Sequence, residues 1–465
     1  MVVRSVVSWR RRASTIWRST ALRLFIMAFV VYNANLRAIS SADTFPARYL
    51  PISILTEFNL DLDEFPFLLK AGHPFPGGGN SGLPYFLQRR RGHLMSAYPV
   101  MPAILATPVY ALPVLMGLQG DSRAPSRDGG FTRTEIVGTM LAKLAASLVI
   151  SLSVALIYLG LTRLTSRSGA LWITLGYAFA TSSWSVSSQG LWQTTMSQAL
   201  FAGSLVAFYR ARNGQAAQWL ALAGGLLGLA VACRPPAIIL AVFMALYAAH
   251  AHREHFLRAF LPPAVIIAVL LLSYNVYFFG GPYAGYGAYA TYTFTVPHMA
   301  PALYGLLVSP NRGMLVFSPV LVAGFAGLGV SLVRRDALLG CVAVATLLTI
   351  VFYSSISQWD GGFSYSYRFL VDLLPGLAFG AAVIWEWIQS RRWRRAAMAG
   401  LFVLSVGVQI VGAFDYPCGW YRSTLTDPAL ISRTFDWTDL EIVQCLRRGP
   451  VEPDGVHFLR QLRNH

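Results

Sequence analysis

Residues 97–118 read AYPVMPAILATPVYALPVLMGL, a stretch apolar and long enough to cross a bilayer, for which about 20 residues suffice. It also holds Pro99, Pro102, Pro108 and Pro113. Each proline removes a backbone donor and crowds the preceding turn, so four in one segment break helical hydrogen bonding repeatedly. The stretch is therefore expected to lie along the membrane interface, or dip into it, without spanning. That choice orients every apolar segment after it.

With 97–118 kept on one side, residues 41–134 form a single long external loop and the next span is 135–162, running inward. The arginines then sort by side. Arg4, Arg10, Arg11, Arg12, Arg18, Arg23, Arg163, Arg167, Arg210, Arg212, Arg253, Arg258, Arg334, Arg335, Arg391, Arg392, Arg394 and Arg395 all fall inside, eighteen in total. The short external connections hold three, Arg234, Arg312 and Arg368. Cytoplasmic loops carry the basic excess of membrane proteins, and a spanning 97–118 would reverse it.

The other apolar segments lie near 169–184, 196–210, 216–233, 236–250, 258–278, 313–333, 337–354, 369–388 and 396–414. The N-terminal stretch 22–39 lacks a small-residue cleavage pattern and reads as a retained signal anchor. The expected fold is an all-α integral membrane protein of about eleven transmembrane helices, with interfacial helices in the long first external loop. Residues 1–414 form the polytopic domain and 415–465 an external tail. The setting is the plasma (inner) membrane, with the N-terminus cytoplasmic and the C-terminus extracytoplasmic.

Composition agrees. Of 465 residues, 55% are hydrophobic and 12% charged, against about 25% charged in a soluble domain. The net charge of +17 sits as short clusters between apolar spans and makes no face for nucleic acid. Four cysteines are too few for a disulfide framework. Cys418 and Cys445, both in the oxidising external tail, are expected to pair.

Function is expected at the outer membrane edge, where a polar group is costly without a role. Asp43 follows the first helix directly and can serve as general base for an acceptor hydroxyl; the alternative is a helix-end acid solvated by headgroups. Asp61, Asp63 and Glu64 offer carboxylates for a hard cation, or simply make a solvated acidic turn. His73 and the glycines after it read as a loop. Arg89, Arg90, Arg91 and His93 precede the proline-rich stretch and suit a lipid phosphate or a plain interfacial anchor. Arg234, Arg312 and Arg368 each open an inward-running helix, and guanidinium groups match phosphate oxygens. Snorkelling or local pairing is the competing account of each, but three lone arginines in short loops point to a shared anionic ligand. Tyrosine and tryptophan rings at this edge, among them those of the Gly280–Pro301 loop, Trp192 and Trp359, are either interface belt or sugar-packing surfaces.

In this order, the motifs resemble the GT-C superfamily of membrane glycosyltransferases. The resemblance rests on Asp43 after the first helix and on Tyr98-Pro99 opening an interfacial helix. It also rests on Gly228-Leu229-Ala230…Arg234-Pro235, Asn275…Phe279-Gly280-Gly281-Pro282, Arg312-Gly313…Ser318-Pro319 and Trp359…Gly361-Gly362…Arg368…Leu374-Pro375. Protein O-mannosyltransferases and the aminoarabinose transferase of lipid A are members.

The resemblance implies a polyprenyl-phosphate-linked sugar donor and a glycan, lipid or protein acceptor. It implies Asp43 as base, with His93, Arg234, Arg312 and Arg368 on the phosphate side. Tyr98, Trp359, Asp360, Tyr365 and Tyr367 are candidates on the sugar or acceptor side. The chain departs from the superfamily where Thr44 replaces the second acid of an Asp-Glu pair, and residues 185–198 lack an acid. A divalent cation therefore stays open as a cofactor. The rival classes are a lipid-linked glycan transporter or flippase, which needs ionisable pairs deep in the spans, and an O-antigen ligase-type enzyme.

Overall fold

The computed structural model describes residues 19–70, 82–123, 131–283, 285, 296–421 and 429–454. The arginines up to Arg18, His73, most of the tyrosine-rich loop after Tyr283, the turn Asp427-Pro428 and the end of the tail lie outside the described residues. Among those described, the chain is helical apart from one hairpin.

Helix α1 (Ser19–Asn33) leads through Asn35–Ser41 to α2 (Phe45–Thr56), and α3 (Met101–Leu115) packs on α2. The membrane body follows as α4 (Arg133–Leu161), α5 (Arg167–Phe179), α6 (Gln193–Ala211), α7 (Ala216–Cys233), α8 (Pro235–Ala251) and α9 (Arg253–Phe279). Its second half is α10 (Met299–Val308), α11 (Pro319–Val333), α12 (Ala337–Ser354), α13 (Leu374–Val383) and α14 (Arg392–Phe414). A short amphipathic helix, α15 (Glu441–Arg448), ends the described tail.

A helix sits at each of the eleven expected segments, but the expected span count needs correction. Among the described residues, five helices are long and apolar enough to cross a membrane: α4, α7, α9, α12 and α14. These make the chain a multi-pass membrane protein. Helices α1, α8 and α11 are apolar but shorter. The physical reason lies in the breaks. Pro235, Pro319 and Pro375 each sit in the first turn of a helix, a place proline favours because it cannot extend a helix backwards. Helix α6 has length, but Gln193, Thr194, Thr195, Ser197 and Gln198 make its first turns polar.

The 97–118 stretch becomes the 15-residue α3, with Pro108 and Pro113 inside it. At 1.5 Å per residue such a helix reaches about 22 Å, short of a hydrocarbon core of roughly 30 Å. Its buried face (Ala103, Ala106, Tyr110, Val114) joins Tyr49, Leu50, Phe65, Phe86 and Leu141 in a core separate from that of the main bundle. Gly138 of α4 lets this unit close, because a Cβ there would meet the Tyr49 ring at 2.8 Å.

An antiparallel hairpin was not anticipated: β1 (Leu87–Arg90) pairs with β2 (His93–Ser96), Arg90 opposite His93. Arg91 and Gly92, with φ of 51° and 89°, form the two-residue turn that matches strand twist.

The tail is bound to the body. Arg312 Nη1 donates to Glu441 Oε2 at 2.6 Å with both side chains fully buried. Asn311 Oδ1 accepts from the Glu441 backbone N–H at 2.7 Å. Cys418 and Cys445 form a disulfide, and Asp454 accepts from the Ala38 N–H at 3.0 Å.

Candidate active site

Asp43 lies in a 3-10 turn (Ala42–Thr44) between α1 and α2. The segment that delivers it is tied down by buried polar contacts. Asn35 Nδ2 donates to Gln189 Oε1 and to the Ala413 carbonyl, both at 2.8 Å. Lys143 Nζ donates to the Tyr32 carbonyl (2.8 Å), the Ser188 carbonyl (3.1 Å) and Gln189 Oε1 (2.6 Å). The Ile39 N–H reaches the Gln189 carbonyl at 3.1 Å. Buried polar networks of this kind hold one geometry because breaking any member leaves an unpaired group.

Both carboxylate oxygens of Asp43 are engaged. Oδ1 accepts from the Tyr85 hydroxyl at 2.6 Å and from the Tyr98 hydroxyl at 3.3 Å. Oδ2 accepts from Arg368 Nη1 at 2.5 Å. Asp43 keeps 22% side-chain exposure and Arg368 8%, so the pair sits at the rim of the protein with the acid outward. Arg368 opens the 3-10 turn before α13, and its guanidinium lies 4.4 Å from the Trp192 ring centre. Its Nε is buried without a partner among the described residues. Gly361 and Gly362, with φ of 77° and 67°, turn the chain beside this guanidinium in a conformation other residues resist.

The structure thus brings together Asp43, Arg368 and Tyr98, and adds Tyr85 and Trp192. It sets the other expected arginines elsewhere. Arg234 Nη1 donates to Asp372 Oδ2 at 2.6 Å and Nη2 to the Phe369 carbonyl at 3.0 Å. This buried pair fixes the turn that begins with Arg368. Arg312 is held by Glu441. His93 Nδ1 lies 2.7 Å from Asp63 Oδ2 and 3.5 Å from Asp61 Oδ2. The hydrogen bond to Asp63 and the charge of Asp61 hold its pKa above the ordinary histidine value. Burial raises the Asp61 carboxyl, with Glu64 and Asp63 adding to the rise.

Asp61, Asp63 and His93 each offer a ligand atom within 4.8 Å of the others. They are the group among the described residues that suits a cation, with His93 closed on Asp63. The remaining aromatic candidates are packed. Trp359 lies against Gly305 and Phe435, the Tyr365 hydroxyl donates to the Val408 carbonyl at 2.9 Å, and the Tyr367 hydroxyl meets Ser318 Oγ at 2.7 Å. Asp360 Oδ2 accepts from Tyr421 at 3.1 Å.

Arg48, one turn into α2, was not singled out by its sequence context. It is buried and donates to Ser40 Oγ (2.7 Å) and Thr139 Oγ1 (3.0 Å), with Phe45 against its guanidinium. A small cleft adjoins Ser40 and Trp192 and is walled by Phe363, Ser364, Tyr365 and Tyr416.

Fold and site together define a multi-pass helical membrane protein with an acid–arginine pair where its first helix ends. No family model matches the sequence, and no curated protein matches it. The solved structure of ArnT from Cupriavidus metallidurans in the apo state is similar, with a TM-score of 0.51 at 13% identity over 93% of this chain and 75% of that one. ArnT bound to undecaprenyl phosphate gives 0.48 at 13% identity over 93% and 75%. The archaeal oligosaccharyltransferase AglB from Archaeoglobus fulgidus, in complex with an inhibitory peptide and a dolichol-phosphate, gives 0.47 at 11% over 85% of this chain and 55% of that one. What this chain shares with apo ArnT is the fold.

Proposed function

We propose that this protein transfers a sugar from a polyprenyl-phosphate donor to an acceptor hydroxyl at the extracytoplasmic face. The observation that carries the reading is the pairing of Asp43 with Arg368 across 325 residues of sequence. It sets a partly exposed carboxylate and a buried guanidinium side by side, which supports the base and phosphate-binding roles that the motif resemblance implies. Asp43 takes the proton of the acceptor hydroxyl, and Tyr85 and Tyr98 hold its Oδ1 in place. Arg368 stabilises the charge left on the departing lipid phosphate.

The two roles are coupled. Asp43 Oδ2 is free to accept a proton only when Arg368 turns away, and a donor phosphate is the competing anion. Attack by the activated hydroxyl then proceeds in one displacement with inversion, since one base acts without a nucleophilic partner. Arg234 and Arg312 are held by carboxylates that are themselves buried, whereas the Asp43 partner of Arg368 keeps 22% exposure, so the phosphate side narrows to Arg368, with Arg234 positioning its turn. The test is sugar transfer by purified protein from a polyprenyl-phosphate sugar. Asp43→Asn is expected to abolish turnover in a folded protein, and near-normal turnover would refute the base assignment.

A further inference from the structure

The β1–β2 hairpin carries a charged cluster that the proposed chemistry does not use. Arg89 and Arg90 end β1, Arg91 begins the turn, and all three are exposed. Arg90 stands opposite His93, whose ring is closed on Asp63. Arg90 Nε donates only to Gln88 Oε1, at 3.2 Å. Among the described residues, no carboxylate pairs with any of the three guanidinium groups. Adjacent like charges repel, and basic residues are sparse on the outer side of membrane proteins. Three in a row on the Asp43 side of the bilayer therefore call for an anion.

The contacts of the turn set its depth. Helix α9 is apolar and of spanning length, and within Leu261–Phe279 the buried residue is Asn275. Ile266, Leu270 and Tyr277 are 60%, 64% and 57% exposed, so the helix turns its sides to lipid. Its last turns hold Tyr274, Tyr277, Phe278 and Phe279, rings of the kind that mark the headgroup level. Arg91 Nε donates to the Tyr277 carbonyl at 2.7 Å, and its guanidinium lies 4.2 Å from the centre of the Tyr277 ring. The Arg90 guanidinium lies 6.0 Å from that of Phe279. The basic turn is thus held where a lipid-covered helix leaves the hydrocarbon. Guanidinium forks match phosphate oxygens, and a basic cluster at the membrane surface draws anionic lipid. We infer that the Arg89–Arg91 turn binds the headgroup phosphate of an anionic glycerophospholipid and so seats the first-loop unit on the membrane. The occupant is the bilayer's own lipid because that lipid covers the exposed flank of α9. The inference stands apart from the sugar-transfer reading and holds whichever way that reading falls.

The test places the full chain in phosphatidylcholine nanodiscs doped with photoactivatable phosphatidylglycerol or, separately, photoactivatable phosphatidylcholine, each reactive beside the headgroup. Crosslinked peptides are mapped by mass spectrometry. In the wild type, phosphatidylglycerol is expected to label residues 87–93 and the last turn of α9 about tenfold more strongly than phosphatidylcholine. Changing Arg89→Gln, Arg90→Gln and Arg91→Gln together removes about tenfold of that labelling. Labelling around Arg391, Arg392, Arg394 and Arg395 stays unchanged, which reports that the variant is folded and inserted. Equal labelling of the hairpin by the two wild-type probes, or labelling that misses it, overturns the inference without recourse to any variant. A folded triple variant labelled as strongly as wild type does the same. Unlabelled polyprenyl phosphate is expected to leave the hairpin signal in place. Its displacement of phosphatidylglycerol there at equal amounts would overturn the assignment to bilayer lipid and make the turn a donor site.

Discussion

Asp43 has three donors for two oxygens, and on the proposed reading Arg368 also serves the donor phosphate. Asp43→Asn keeps the shape of the site but cannot take the proton, so donor affinity should persist while transfer stops. Arg368→Ala should weaken donor binding by about 1.5–3 kcal/mol, the worth of a charged hydrogen bond. Titration with polyprenyl phosphate separates the two variants, and equal loss of binding in both would contradict the division of roles. His93 gives a pH signature. Its pKa is raised by Asp63 and Asp61, so its contribution to stability is fully present below the unfolded value of about 6.5. It is lost as pH rises through the folded pKa. Thermal melts of wild type and His93→Gln should differ at pH 5.5 and converge above that range; a gap that widens with pH would reverse the sign. Asp43 and Arg368 were each legible in the sequence as chemistry at an outer edge. Their meeting was not, because residue type names a donor without naming its partner. Arg234 and Arg312 share the sequence context of Arg368, yet find Asp372 and Glu441, 138 and 129 residues away. Tyr85, in a Leu-Pro-Tyr-Phe run, looks like any interface aromatic.

Elements were legible where apolar length decided them, as in α4, α9 and α14, and less so where polar residues or prolines interrupt. Local pattern gives a hydrophobic segment, but packing decides whether it becomes one span or a shorter helix after a proline turn. The hairpin escaped notice because Leu87–Ser96 mixes four basic residues with few β-branched ones. The anchoring of the tail was not legible, since its partners come from distant elements. Two perturbations test that anchoring. Arg312→Ala leaves Glu441 buried and unpaired and should cost about 3–5 kcal/mol, whereas the double change Arg312→Met with Glu441→Leu should recover most of it. A double variant no more stable than the single would contradict this. Burial raises the Glu441 carboxyl against the pull of Arg312, so the raised group should disfavour its ionised form once the arginine is gone. Reducing the Cys418–Cys445 link, which closes a loop over a separation of 27, should cost roughly 3–4 kcal/mol by loop-closure entropy. Non-reducing mass spectrometry showing two free thiols would rule the link out.

At the scale of the whole molecule, α2, α3 and the hairpin form a separate packed unit over one end of the bundle, and Asp43 lies at its junction with α1. Function on the extracytoplasmic face requires that unit, and the tail bound to Arg312, to lie outside. Reporter fusions at Arg167 and Gly214 should therefore be active only in the cytoplasm; activity outside the cell at both would invert the topology. The fold resembles that of apo ArnT although only 13% of residues are identical. On the proposed reading, a lipid phosphate competes with Asp43 for Arg368. A structure of the protein with polyprenyl phosphate bound tests it most directly. The phosphate is expected within hydrogen-bond reach of the Arg368 guanidinium, with Asp43 Oδ2 released and its Oδ1 still held by Tyr85. A phosphate bound elsewhere, with the Asp43–Arg368 pair intact, would contradict it.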